Sequence, residues 1–319
     1  MKSWAKRAWC RDLKIAVIGA GAIGGLFGGL LSRSGHDVVF VERPHKVERL
    51  SLTGLELEMP DSSTIHVKAV FKPTLKGVDD LDICIVAVKA YDTASAVKHV
   101  ADANLKCPVI LLQNGLGVEG EAQSVLRRSV ARGVTSCGAM VEQLGVVKVK
   151  GIASTVLGAE DRELVDACRE LAKALSEAGL PSTVTENVMG AVWTKAIVNS
   201  SINPLGTIMN ARNGELLENE HTKTLMAMVA AEGWKVALSL GVRLEVEDPI
   251  EEVFKVAKAT YDNKNSMLMD LVKGKRTEVD YINGAIWRLS SKGRVEAPFN
   301  RALYLLVKAL EAKRLGMRG

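Results

Sequence analysis

The sequence predicts an α/β fold, a doubly wound parallel sheet in the N-terminal half followed by an all-helical C-terminal domain. Three observations carry this reading. Short apolar runs alternate with helical stretches through the first half, a glycine-rich turn joins the first strand to the first helix, and strand signals nearly vanish beyond residue 186.

The first run, Lys-Ile-Ala-Val-Ile at 14–18, is mostly apolar and stops at Gly19, as a strand buried on both faces does. Ala22 to Ser34 reads as a small-residue helix ending near Gly35. His36 to Glu42 reads as the second strand. Further strands are expected at 83–88, 109–112 and 130–136, and 51–72 alternates like a hairpin insertion. The segments 187–203, 215–240, 249–273, 277–292 and 298–315 carry helical periodicity. The boundary therefore falls near 185, separating a domain at 13–185 from one at 186–319.

Bulk properties narrow the function classes. The 319 residues are 47% hydrophobic and 25% charged, an ordinary globular profile. The formal charge of +5 is modest, and its one dense run is Lys2, Lys6, Arg7 and Arg11. Solvated surface explains such an excess, so no nucleic-acid partner is expected, while anionic small molecules suit a mild positive field. Five cysteines stand apart at 10, 84, 107, 137 and 168, with no CxxC pair and no Cys/His cluster. That spacing predicts neither a metal site nor a disulfide framework. Cys84, inside the 83–88 strand, reads as a buried structural thiol rather than a regulatory one. The basic N-terminus has no apolar core behind it, and later apolar stretches meet charge well before membrane-spanning length. A reducing cytoplasm and no membrane association are expected.

Gly19-Ala20-Gly21-Ala22-Ile23-Gly24 matches GxGxxG between a strand and a helix. The first glycine permits the tight turn, the second lets backbone approach a pyrophosphate, and the third lets helix and strand pack closely. Glu42 closes the second strand about 20 residues further on, where an acidic residue meets the adenosine ribose. The first domain is therefore a Rossmann-type dinucleotide-binding domain, and the cofactor is NADH or NADPH. A carboxylate at 42 accepts from both ribose hydroxyls and repels a 2′-phosphate. Arg43, with His45 or Lys46 in support, could instead pair with that phosphate, so the choice stays open. Lys89 and Asn114 follow the strands at 83–88 and 109–112, where such sheets bind ligands, and could hold phosphate, ribose, nicotinamide or substrate. A plain turn is the other reading of Asn114-Gly115.

In the helical half, Lys195, Asn199 and Asn203 fall at i, i+4 and i+8 and share one helix face. Their neighbours Ala196, Ile197, Val198 and Ile202 are apolar, which implies a helix packed on most sides. Polar groups there need partners, whereas a solvated stripe usually mixes Glu, Lys and Gln. Asn263 or Ser266 could cap a helix, and Thr277 could cap the next with Asp280 in a capping-box position. Glu278 in a first turn would then only complement the helix dipole.

Several motifs occur in order: GxGAxG, Val-Lys-Ala-Tyr-Asp from Val88, Gln-Asn-Gly-Leu-Gly from Gln113 and Trp-x-Lys-x-x-x-Asn-x-x-x-Asn-Pro-Leu from Trp193. Asn-Gly-Glu-Leu from Asn213, Ser-Met-Leu-x-Asp from Ser266 and Arg-x-Thr-Glu-x-Asp-Tyr-Ile-Asn-Gly from Arg276 complete the set. From about residue 13 to about 310 the chain resembles the ketopantoate reductase family. The first twelve residues lie outside the resemblance. Glu42 departs from the family pattern, in which a neutral residue precedes the arginine, so the resemblance favours NADPH and Glu42 favours NADH.

The resemblance implies reduction of 2-dehydropantoate to (R)-pantoate for coenzyme A synthesis by the 186–319 domain, acting on a small 2-oxo acid. It implies Lys195 as general acid, with Glu278 binding the substrate hydroxyl and helping to hold the lysine. It implies Asn199, Asn203, Asn213 and Ser266 as substrate-binding residues, with Asn263 and Asn114 close to substrate or nicotinamide. Glu278, Lys89 and Asn114 also fall among the residues expected near the cofactor. A homodimer follows by analogy. The alternatives are a reductase of another 2-oxo acid, a β-hydroxyacid or polyol-phosphate dehydrogenase, and a nucleotide-sensing module without turnover.

Overall fold

The computed structural model describes residues 12–316, so the basic run at 2–11 and Cys10 lie outside the described residues. Internal packing divides the chain into two compact units. One holds the chain up to Val88, with Asp92–Leu112 and Ala122–Thr185; the other holds Lys89–Tyr91, Gln113–Glu121 and everything from Glu186. Two short loops of the first half thus fold with the helical half.

The first unit begins β1 (Lys14–Ile18), α1 (Ala22–Arg33), β2 (Asp37–Val41), α2 (Pro44–Thr53), β3 (Leu55–Glu58), β4 (Thr64–Val67), β5 (Val70–Lys72) and β6 (Ile83–Val86). It continues with α3 (Thr93–Asp102), β7 (Val109–Leu111), the end of α4 (Val118–Leu126), β8 (Ala131–Thr135), β9 (Gly138–Gln143), β10 (Val146–Gly151), β11 (Thr155–Gly158), α5 (Arg162–Glu177) and β12 (Ser182–Val184). The large sheet has the order β12-β11-β8-β7-β6-β1-β2-β5. It is parallel from β8 to β5, and β11 runs antiparallel to β8. Central strands such as Ile15–Ile18 and Ile83–Val86 are buried throughout, which is why each reads as an unbroken apolar run.

The insertion at 51–72 differs from a lone hairpin. Residues 51–53 finish α2, β3 and β4 form the hairpin, and β5 joins the large sheet beside β2. The hairpin is completed by β9 and β10 into a second sheet, β4-β3-β10-β9. Helix α1 touches both sheets. A Cβ at Gly28 would fall 2.5 Å from the Phe40 ring, and one at Gly25 would fall 2.8 Å from Val147. Its small residues are what let two sheets close on one helix.

The helical unit corrects several expected boundaries. Helix α6 (Val188–Met209) runs through Pro204 instead of ending at 203. Proline brings no N–H, so the Ser200 carbonyl lacks its helical donor. The Asn283 side-chain amide supplies one at 2.9 Å. The segment 215–240 is two helices, α7 (Glu215–Glu218) and α8 (Glu220–Ser239), parted by Asn219, whose side chain accepts from the His221 and Thr222 N–H groups. The segment 249–273 is also two, α9 (Pro249–Ala259) and α10 (Ser266–Val272). Asn265, not Asn263 or Ser266, caps α10 by accepting from the Leu268 N–H at 3.0 Å.

Helix α11 (Asn283–Lys292) starts later than expected, and α12 (Pro298–Leu315) follows it. Residues 277–282 form a turn in which Thr277 Oγ1 accepts from the Val279 N–H. Asp280 closes no capping box; it takes Arg276, Tyr304 and Lys308 as donors. Buried Glu232 of α8 accepts from the Phe299 and Asn300 N–H groups, fixing the first turn of α12. Among the described residues no helix is long and apolar enough to cross a membrane.

Candidate active site

In the first unit the glycine turn has the geometry a dinucleotide needs. Gly19 holds φ +98°, a backbone that side-chain residues rarely adopt, and its N–H donates to the Val41 carbonyl at 2.9 Å. A Cβ on Gly24 would lie 1.9 Å from the Gly19 carbonyl oxygen, so α1 sits flush on the turn. At Gly21 a Cβ would meet nothing within 4 Å. That open space lies at the N-cap of α1, where the helix presents amide donors and positive dipole. Ala20, Ala22 and Ile23 are half-buried around it. Glu42, with a side chain 9% exposed, accepts from the Ala20 N–H at 3.1 Å, the Arg43 N–H at 3.1 Å and Lys46 Nζ at 3.0 Å. Arg43 Nη2 meets Asp92 at 3.3 Å. These residues fit a dinucleotide.

In the second unit, α6 sets Lys195, Asn199 and Asn203 on one face, the first two half-buried and Asn203 buried. A separate cluster gathers on Glu278, which is 5% exposed. Its Oε1 accepts from the Ala90 N–H at 3.0 Å. Its Oε2 accepts from Lys89 Nζ at 3.2 Å and Asn114 Nδ2 at 3.5 Å. Lys89 donates a second bond to Asp270 at 2.6 Å. Burial opposes the charge on Lys89, but the Glu278 and Asp270 carboxylates outweigh it and hold its pKa well above the usual lysine value. For Asp270 burial prevails over the attraction of Lys89, and its pKa rises.

The loops carrying these groups are pinned to one another. Gly115, at φ +87°, lies so close to Tyr281 that a Cβ would come within 2.4 Å of the Tyr281 carbonyl oxygen. That carbonyl accepts from the Leu116 N–H at 2.8 Å, and the Tyr281 hydroxyl donates to Glu121 at 2.8 Å. Burial and Glu121 push the Tyr281 pKa up to about 12. The Thr277 N–H, next to Glu278, donates to Glu311 at 2.6 Å, and Glu311 is 3% exposed and paired with Lys308.

Asn213 is buried; its N–H donates to the Asn263 carbonyl at 3.0 Å and its side-chain amide to Thr260 at 2.9 Å. The side chains of Asn263 and Ser266 are exposed. The structure therefore brings Lys89 and Asn114 onto Glu278, and α6 sets Lys195, Asn199 and Asn203 on one face. Lys89, expected from sequence to hold phosphate, ribose, nicotinamide or substrate, folds with the second unit and pairs with two carboxylates. Sequence reasoning gave no role to Asp270 or Glu311. Asp270 ends the Ser-Met-Leu-x-Asp motif, which was the available signal, whereas nothing in the α12 sequence marks Glu311.

Comparison with known proteins shows the family. The sequence profile of ketopantoate reductase PanE/ApbA matches residues 15–162, and that of its C-terminal domain matches 187–311. The 2-dehydropantoate 2-reductase of Pyrococcus horikoshii is 36% identical over 300 residues, covering 94% of this chain and 98% of the relative. The crystal structure of a PanE/ApbA family ketopantoate reductase from Ralstonia eutropha JMP134 superposes with a TM-score of 0.85 at 31% identity, covering 95% and 99% of the two chains. A ternary structure of D-mandelate dehydrogenase with NADH and anilino(oxo)acetate superposes with a TM-score of 0.86 at 29% identity, with the same coverage. The chain belongs to the ketopantoate reductase family.

Proposed function

We propose that the chain is a cytoplasmic reductase that converts 2-dehydropantoate to (R)-pantoate using NADH or NADPH. The observation that carries this reading is the convergence of two distant motifs on Glu278, one through Lys89 and the Ala90 N–H and the other through Asn114. A carboxylate has about four acceptor positions. Three are taken, leaving one for a substrate hydroxyl. Asp270 takes the second bond of Lys89.

The nicotinamide, when bound, supplies the hydride. The Gly19–Gly24 turn and Glu42 hold the dinucleotide through backbone amides and a ribose contact. Lys195 stabilises negative charge growing on the C2 oxygen and donates the proton to it. Asn199 and Asn203, one and two turns along the same face, hold the carboxylate and carbonyl of the 2-oxo acid with neutral donors that leave the acid unperturbed. Asn213, Asn263 and Ser266 complete the substrate contacts. The buried state of Cys84, Cys107, Cys137 and Cys168, all free thiols, suits a reducing compartment.

Absorbance at the nicotinamide band tests this directly. Purified protein is expected to oxidise reduced cofactor with ketopantoate faster than with any other 2-oxo acid. The likeness to D-mandelate dehydrogenase makes a 2-oxo acid with an aromatic side chain the competing substrate. Faster turnover of that acid would transfer the assignment to it, and no turnover with either would remove the reductase reading. We also propose a homodimer, supported by exposed Phe299, Leu305 and Leu306 on α12. Light scattering is expected to return twice the 34.3 kDa chain mass, and a monomer would overturn the dimer.

A further inference from the structure

We propose that Glu42 makes the nucleotide site select NADH over NADPH, an inference that rests on the dinucleotide reading of the Gly19–Gly24 turn. Sequence alone leaves Glu42 and Arg43 as rival determinants. The structure separates them. The Glu42 carboxylate is 9% exposed and is fixed by three donors, the Ala20 N–H within the glycine turn, the Arg43 N–H and Lys46 Nζ. It therefore bridges the glycine turn and the start of α2, where an acidic residue meets the adenosine ribose. With three of about four acceptor positions filled, one is left for a ribose hydroxyl.

NADPH replaces one of those hydroxyls with a phosphate, which brings no donor in its ionised form and carries the same sign of charge. Binding it would require unopposed cations. The two permanent cations beside this carboxylate are already opposed. Lys46 is paired with Glu42 at 3.0 Å, and Arg43 Nη2 is turned to Asp92 at 3.3 Å. The four charges, two positive and two negative, cancel among themselves. A 2′-phosphate would have to break both pairs and still lie against the Glu42 carboxylate.

The test is equilibrium binding without substrate, titrating the purified protein with NADH and then NADPH and following cofactor fluorescence. NADH is expected to bind about tenfold or more tightly, the scale on which one unfavourable charge contact shifts an equilibrium constant. Glu42→Gln removes the charge while keeping an acceptor for the Ala20 N–H. It is expected to raise NADPH affinity about tenfold and to change NADH affinity less than about threefold. Arg43→Ala, the second variant, is expected to leave the ratio of the two affinities unchanged.

Equal or tighter NADPH binding by the wild-type protein would overturn the proposal, as would an unchanged ratio in Glu42→Gln. Selective loss of NADPH affinity in Arg43→Ala would assign the phosphate to Arg43 and overturn it as well. Failure to bind either nucleotide would remove the dinucleotide site itself, an outcome distinct from binding both without preference.

Discussion

Lys195→Ala is expected to lower kcat for ketopantoate by about two orders of magnitude or more, the contribution of a well-placed general acid. The residue sits in the second turn of α6, on the face it shares with Asn199 and Asn203. Alanine keeps the helix, being its best former. The thermal midpoint should therefore stay near that of the wild-type protein, which separates lost chemistry from lost folding. KM should move far less than kcat, because the two asparagines proposed to hold the substrate are untouched. Lys195→Arg should not restore the rate. A guanidinium keeps the positive charge but does not release its proton at neutral pH, so a charge-only role and an acid role give different answers. A loss below tenfold in the alanine variant, or recovery by arginine, would remove the proton-donor assignment.

The parts of this molecule that were legible in the sequence are those where local period and burial coincide. Parallel strands buried on both faces, such as Ile83–Val86, appear as continuous apolar runs, and the glycine turn has few alternatives once it follows one. The α6 face was readable because helical geometry alone puts positions 195, 199 and 203 together. The β9–β10 hairpin was not, since its half-buried strand Gly138–Gln143 neither alternates cleanly nor forms an apolar run. Helical period also ran unbroken across Asn219 and Asn265, because the segments on either side each bury their own stripe. The capping asparagines were the only local marks of those breaks.

The Glu278 cluster shows the harder limit. Lys89 and Asp270 are 181 positions apart in the chain, and Thr277 and Glu311 are 34 apart. No periodicity links them, and each alone has a bland explanation, Thr277 as a helix cap and the others as surface charges. Only the motif set, read as a family resemblance, singled out Glu278, and it did so with Lys195 as the expected partner. In the structure its carboxylate accepts from Lys89, the Ala90 N–H and Asn114.

Those donors make Glu278 the second substitution of large expected effect. Glu278→Ala removes an acceptor from the Ala90 N–H, the Asn114 amide and Lys89. A buried donor left without its acceptor costs about 1–3 kcal/mol, so this variant should lose stability as well as activity. Glu278→Gln divides the two effects. Its amide oxygen can still accept from the Ala90 N–H, so most of the stability should return. It cannot offer a second anionic oxygen to Lys89 or a charged acceptor to the substrate hydroxyl, and kcat/KM is expected to stay about a hundredfold or more below wild type, the scale of one lost preorganised electrostatic contact. Parallel thermal melts and steady-state kinetics on the two variants read this out. Near-wild-type turnover in Glu278→Gln would mean that the carboxylate only ties the 89–91 and 113–121 loops to the helical unit. Low turnover in a well-folded Gln variant would mean that its charge acts on the substrate, because the packing would then be intact and the acceptor alone missing.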